Sequence, residues 1–128
     1  MDGKKLGWLG EEAACCYLEK RGYKIIERNY IKNWSAFRKG EIDIIARKSG
    51  AIFFIEVKTS VQDFNKESYF LPENRVNFKK KRQIESLAQS WLFEHNFSVD
   101  SQWQIDVVSV QVDLKRKKAR IKHFENIF

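Results

Sequence analysis

An α/β domain is the fold class that the sequence predicts, and three patterns predict it. Residues 3 to 21 and about 78 to 95 carry apolar side chains at helical spacing. Residues 23 to 31, 42 to 46, 52 to 57, 102 to 112 and 119 to 124 carry the β-branched and aromatic content, and mostly the alternation, of strands. The elements run helix, strand, hairpin, helix, strand, strand, with no linker, repeat or low-complexity segment between them. Residues 1–128 are therefore expected to form one domain.

In the first helix Leu6, Leu9, Ala13, Cys16 and Tyr17 form the expected apolar stripe, and Gly22 is its stop signal. Gly7 and Gly10 cost about 1 kcal/mol each against Ala in a helix. Such a cost suggests that the helix closely approaches either the sheet or a ligand. Glu11 flanks the stripe, bordered by Gly7, Ala14 and Leu18, so its carboxylate can reach the edge of the buried face. It can equally be a solvated acid in the early helix.

In the first strand Tyr23, Ile25 and Glu27 alternate with Lys24, Ile26 and Arg28. Residues 32 to 39 read as a loop, in which Trp34 and Phe37 either pack down as anchors or stand exposed for base stacking. After Lys58 the pattern dissolves into a long polar segment, 59 to 76, which holds the single proline, Pro72, and the aromatics Phe64, Tyr69 and Phe70. Asn77 is a plausible N-cap for the second helix, whose core stripe is Ile84, Leu87, Ala88, Trp91 and Leu92. Lys79, Lys80, Lys81 and Arg82 crowd its first turn. Cations there oppose the helix dipole unless an anion visits, so these residues are a candidate phosphate site, with a plain solvated charge run as the alternative. In the next strand Trp103, Ile105 and Val107 face one way and Asp106, Val108 and Val110 the other. Asp106 is then a strand-end charge or a support for a nearby cation. Residues 115 to 118 form a basic turn before an edge strand.

The net charge is +7 and the isoelectric point about 9.5, which favours an anionic partner, nucleic acid before membrane. Cys15 and Cys16 are neighbours on a helix, about 100° apart, and make a poor disulfide pair. No apolar run approaches the length of a membrane span or a secretory signal core, so a cytoplasmic location is expected. His95 and His123 have no cysteine or carboxylate partner at useful sequence spacing. No nucleophile elbow or glycine-rich phosphate loop is present.

The sharpest chemical feature lies in residues 40 to 58. Ser49-Gly50 is a turn signal, and a turn centred there makes paired residue numbers sum to 99. Asp43 then faces Glu56, Glu41 faces Lys58, and all four share one sheet face. Facing carboxylates roughly 5 Å apart repel unless a cation sits between them. Mg²⁺ suits such a pair, because it accepts one or two carboxylates together with waters and phosphate. The Val57 carbonyl can join as a ligand, and Lys58 can stabilise charge on a phosphoryl group or orient a water. The alternative is a cross-strand salt-bridge cluster in which Lys58 pairs with Glu41.

These residues resemble the PD-(D/E)XK nuclease superfamily, and within it the bacterial YraN family of endonuclease-like proteins related to archaeal Holliday-junction resolvases. The likeness runs from Gly7-x-x-Gly10-Glu11-x-x-Ala14-x-x-Tyr17-Leu18 through Gly22-Tyr23 and Glu27-Arg28-Asn29-Tyr30. It peaks at Gly40-Glu41-Ile42-Asp43 and Phe54-Ile55-Glu56-Val57-Lys58-Thr59, and later blocks lie at Val76 to Lys79 and Ile105-Asp106-Val107-Val108. The resemblance implies a restriction-endonuclease-like core, a central mixed β-sheet flanked by α-helices. By analogy Asp43 and Glu56 would bind Mg²⁺ or Mn²⁺, Lys58 would be catalytic, and Glu11 would reach in from the first helix. Ser60 stands where the family usually has a basic residue, and Gln104 where it usually has Arg. The implied function is metal-dependent endonucleolytic cleavage of DNA, branched or junction DNA included; a junction substrate would favour a homodimer. Two alternatives stay open: a non-catalytic nucleic-acid-binding or repair-accessory module that keeps the fold, and a protein-interaction domain with a purely structural charge cluster.

Overall fold

The computed structural model describes residues 2–35, 38–66, 78–98 and 100–127. Its elements are α1 (Gly3–Lys20), β1 (Lys24–Ser35), β2 (Arg38–Lys48), β3 (Ala51–Val61), α2 (Phe78–Glu94), β4 (Trp103–Asp113) and β5 (Lys118–Phe124). The five strands form one sheet in the order β1-β2-β3-β4-β5. Every neighbouring pair is antiparallel except β3 and β4, whose parallel pairing requires the crossover that carries α2. This is an α/β fold with a mixed sheet, as expected for a restriction-endonuclease-like core. The proposed N-cap Asn77, together with Phe37, Tyr69, Phe70 and Pro72, lies outside the described residues, as does the side chain of Trp34.

The sheet is covered on both faces, and strand parity decides what each face meets. Ile45, Phe54, Ile105 and Val107 pack with Ile84, Leu87, Ala88, Trp91 and Leu92 of α2. Ile44, Ala46, Ile55, Val108 and Val110 pack with Ala14, Cys15 and Leu18 of α1. The α2 stripe is the one its periodicity predicts. On α1 the buried line is Gly10, Ala14, Cys15 and Leu18, whereas Cys16 is exposed. The stripe is thus rotated from the expected one. A line of small residues lets the helix come closer to the sheet than the bulkier Leu6-Leu9 line would. Cys15 and Cys16 are both free thiols.

The helix ends follow local chemistry. The Asp2 side chain accepts from Lys5 N–H at 2.8 Å and caps α1. At its other end Gly22 adopts φ +90°, Tyr23 N–H donates to Leu18 O, and Gly22 N–H donates to Glu19 O, a Schellman ending. Ser49 (φ 51°) and Gly50 (φ 80°) both sit in the left-handed region, which makes the β2–β3 connection a tight hairpin turn.

Strand β1 departs from the simple alternation expected of it. Its pairing with β2 slips between Ile25 and Glu27. Tyr23 and Ile25 pack on the α1 side, yet Glu27 accepts from Trp91 Nε1 of α2 at 3.0 Å. One extra residue has reversed the parity. Beyond β3 the expected loop begins later than predicted, because Thr59, Ser60 and Val61 continue the strand against Val110, Gln111 and Val112.

The two suspected close approaches of α1 separate cleanly. A Cβ on Gly10 would lie 1.8 Å from Thr59 Oγ1 and 2.8 Å from Thr59 Cβ, whereas one on Gly7 would meet nothing within 4 Å. Gly10→Ala should therefore destabilise the protein by ~1–3 kcal/mol through overpacking. Gly7→Ala should stabilise it by ~0.5–1 kcal/mol through helix propensity. Urea unfolding of the two variants reads out the opposite signs.

Candidate metal centre at the fork of the hairpin

The β2–β3 hairpin keeps the predicted register from Lys48↔Ala51 as far as Ile44↔Ile55, and there the pairing stops. Beyond that point β2 remains paired with β1, through Tyr30↔Ile42 and Lys32↔Gly40. Strand β3 remains paired with β4, through Glu56↔Val107 to Val61↔Val112. The two strands fork, and the next residues on each, Asp43 and Glu56, stand at the crotch. Regular alternation also fails here. Ile42 and Ile45 pack on the α2 side while Ile44 packs on the α1 side, so the strand is irregular around Asp43.

The fork leaves Val57 N–H without a ladder partner on β2, and Asp43 supplies one: its Oδ2 accepts that N–H at 2.7 Å. In an extended strand the N–H and C=O of one residue point to the same side, so the Val57 carbonyl also faces the fork. Glu56 is buried, and Lys58 Nζ lies 3.6 Å from its Oε1. Lys58 thus pairs with Glu56 and not with Glu41. Helix α1 sits astride the opening. Gly10 presses on Thr59 of β3, and the next residue, Glu11, reaches the other arm. With the Asn29 amide nitrogen turned toward its acceptors, that group donates to Glu11 Oε1 at 2.8 Å and to Glu41 Oε1 at 2.9 Å. Asn29 holds a left-handed backbone (φ 54°) to do so. Beside it, Arg28 Nη1 donates to Glu12 Oε1 at 2.6 Å and ties β1 to α1.

Four carboxylates therefore gather at the fork, and their charge is felt most at Asp43. Its carboxyl is pushed up to about 7, first by burial, then by Glu56, with Glu11 and Glu41 adding to the shift and the Val57 N–H opposing it. Glu11 is also raised, by burial first, against the pull of Arg28 and the Asn29 amide. Asn29 was not legible as a site residue. Its signal in the sequence is only that asparagine tolerates the left-handed region.

The remaining sequence candidates fall elsewhere. Lys79 to Arg82 lie at the start of α2, where Lys81 Nζ is 3.7 Å from Glu85 Oε1. Gln104 donates to Asp106 Oδ1 at 2.8 Å. The expectation that His123 lacks a partner is overturned: its Nε2 lies 2.7 Å from Asp106 Oδ2, with both side chains buried. The partner is 17 residues away in sequence and comes into contact only through the antiparallel β4–β5 pairing. Among the described residues, Asp106, His123 and Glu125 are the group that brings three ligand atoms within 4.8 Å of one another; the Asp43 cluster does not. A separate apolar cavity of about 410 Å³, lined by Leu9, Ala13, Val112 and Leu114 among others, shares no residue with the fork. No helix among the described residues is long and apolar enough to cross a membrane.

Residues 10–110 match the family model described as uncharacterised protein family UPF0102. The chain belongs to that family. A UPF0102 protein of Alkaliphilus oremlandii is 37% identical over 125 residues, which covers 98% of each chain. One from Geobacter metallireducens is 37% identical over 128 residues, covering 100% of this chain and 95% of its own. One from Caldicellulosiruptor bescii is 34% identical over the full length of both. Among solved structures, the crystal structure of the protein of unknown function AF1548 aligns over 78% of this chain and 45% of its own, at 23% identity and a TM-score of 0.43.

Because the folded-state value of Asp43 lies above the ordinary 3.8, the stability that its neutral carboxyl provides is fully present below about pH 4 and lost as the pH rises through about 7. In metal-free buffer at pH 8, Asp43→Asn should melt several degrees above the parent protein. The gap should close by pH 4, and Mg²⁺ should narrow it at pH 8. Circular-dichroism melts across that range provide the measurement.

Proposed function

We propose that this UPF0102 protein is a metal-dependent endonuclease that hydrolyses phosphodiester bonds in DNA, with branched or junction DNA among its substrates. The observation that carries the proposal is the forked hairpin: Asp43 and Glu56 at its crotch, Lys58 one strand repeat further, and Glu11 delivered by α1. The donor set fits a hard divalent ion. Three acidic side chains, Glu56, Glu11 and Glu41, converge on the Asp43 carboxyl, which burial first and their repulsion second hold near neutrality, and an ion of charge +2 offsets both. Asp43 and Glu56 would hold Mg²⁺ or Mn²⁺, with the Val57 carbonyl and waters completing its shell. When bound, the ion supplies a polarised phosphoryl oxygen and a more acidic water.

The protein's own groups do the rest. The Val57 N–H fixes the orientation of the Asp43 carboxylate. Lys58 is 42% exposed, so its ammonium can meet a phosphate oxygen while Glu56 keeps it in place. The Asn29 amide restrains Glu11 and Glu41 so that their negative charge stays beside the ion. Lys79, Lys80, Lys81 and Arg82 offer sequence-independent phosphate contacts, and the surplus of positive charge over the whole chain aids encounter with DNA.

A second reading, a non-catalytic nucleic-acid-binding module, draws support from Gln104. Its amide is engaged by Asp106, so it gives no grip on substrate in place of the usual Arg.

Purified protein should nick or cut duplex, flap or four-way DNA with Mg²⁺ or Mn²⁺. Asp43→Ala and Glu56→Ala should abolish cutting, and Lys58→Ala should lower kcat by about 10²–10³. Equal cleavage by the two acid variants would identify a contaminant and remove the site assignment. Salt-sensitive, metal-independent binding with no cleavage on any of these substrates would favour the second reading.

A further inference from the structure

The buried Asp106 carboxylate stands apart from the fork. It belongs to β4, where it pairs with Ile55 of β3, and Ile55 in turn pairs with Ile44 of β2. Asp106 is fully buried, a costly place for a carboxylate without a compensating cation. Its Oδ1 is occupied by two neutral donors, Gln104 Nε2 and Asn126 N–H, each at 2.8 Å. These fix the carboxylate and leave Oδ2 turned toward His123 Nε2 at 2.7 Å. The imidazole is 7% exposed and wedged against Tyr17 and Tyr23, whose ring centroids lie 5.7 and 6.0 Å away. Glu125, exposed, places a carboxylate oxygen within 4.8 Å of both ligand atoms.

We propose that Asp106, His123 and Glu125 form a second metal site, selective for a zinc-class transition ion and distinct from the fork. One imidazole nitrogen and two carboxylates suit Zn²⁺ or Co²⁺ better than Mg²⁺, which prefers an all-oxygen shell. The ion takes the place of the proton between Nε2 and Oδ2, and with three protein ligands a fourth position stays open to water. Gln104 and the Asn126 N–H act as its outer shell, orienting Asp106 in the way that conserves ligand geometry at zinc sites. Because Asn126 and Ile127 are bonded to β4 at Asp106 and Ile105, the ion fastens the segment after β5 to the start of β4. Its role is a clamp on the fold, and the site is independent of any cleavage at the fork.

The test is calorimetric titration of Zn²⁺ into the metal-free full chain carrying Asp43→Ala, which disables the fork, with circular dichroism to check folding. One equivalent should bind and raise the melting temperature. Adding Glu125→Gln, an exposed change that leaves the core untouched, should weaken binding by about tenfold or more, and His123→Ala should abolish it. Gln104→Leu should cost about 10–100-fold through loss of the outer shell. Failure of the Asp43→Ala protein to bind one equivalent would overturn the site. Equal affinity in the Glu125→Gln and His123→Ala proteins would overturn it too.

Discussion

The hydrogen bond from Val57 N–H to the Asp43 carboxylate is the constraint on which the rest of the fork depends. A hairpin that stayed paired along its whole length would satisfy Val57 through the ladder and leave no opening. Here β2 is claimed by β1 and β3 by β4, so the two strands diverge after Ile44 and Ile55. The divergence exposes one backbone donor, and a side chain of the opposing strand takes it. A buried N–H left unpaired would cost about 1–3 kcal/mol, so this bond allows the strands to separate at that point. The same bond holds the carboxylate in place among three others and favours its ionised form, while burial first and the neighbouring acids second keep its proton on up to about pH 7.

Helix α1 completes the arrangement because of two adjacent residues with opposite demands. Gly10 has no side chain and rests on Thr59, bringing the helix axis close to β3. Glu11 then projects over the fork from a backbone that could not have come as near with any larger residue in front of it. Asn29 and Arg28 secure the other arm, binding Glu11 and Glu12 respectively. Stability and site chemistry pull against each other here. The cluster concentrates negative charge that the fold alone compensates only in part, through Lys58, Arg28 and the Asn29 amide.

Much of this was visible in the residues. The hairpin turn, the sum-99 register, the α2 stripe and the β4 parity are short-range consequences of periodicity and of Ser49-Gly50, and they recur in the structure with strand ends shifted by a few residues. On α1 Leu6, Ala13 and Tyr17 of the expected stripe do pack against the core, but its centre lies on Gly10, Ala14, Cys15 and Leu18, because close packing favours small residues where hydrophobicity favours Leu6 and Leu9. Glu27 was placed on the wrong face because a single extra residue in β1 reverses parity, and nothing local in the sequence announces it.

By itself the sequence determined the set of strands and helices and the pairing across Ser49-Gly50, and hence the register that brings Asp43 and Glu56 to the end of the paired segment. Those are matters of local backbone preference and two-fold alternation. Only the tertiary structure decided that the hairpin would fork at that pair, that Asn29 would bridge Glu11 and Glu41, and that His123 would find Asp106. Each of these depends on which strands compete for a neighbour and on contacts between residues far apart in the chain, and no spacing in the sequence encodes that competition.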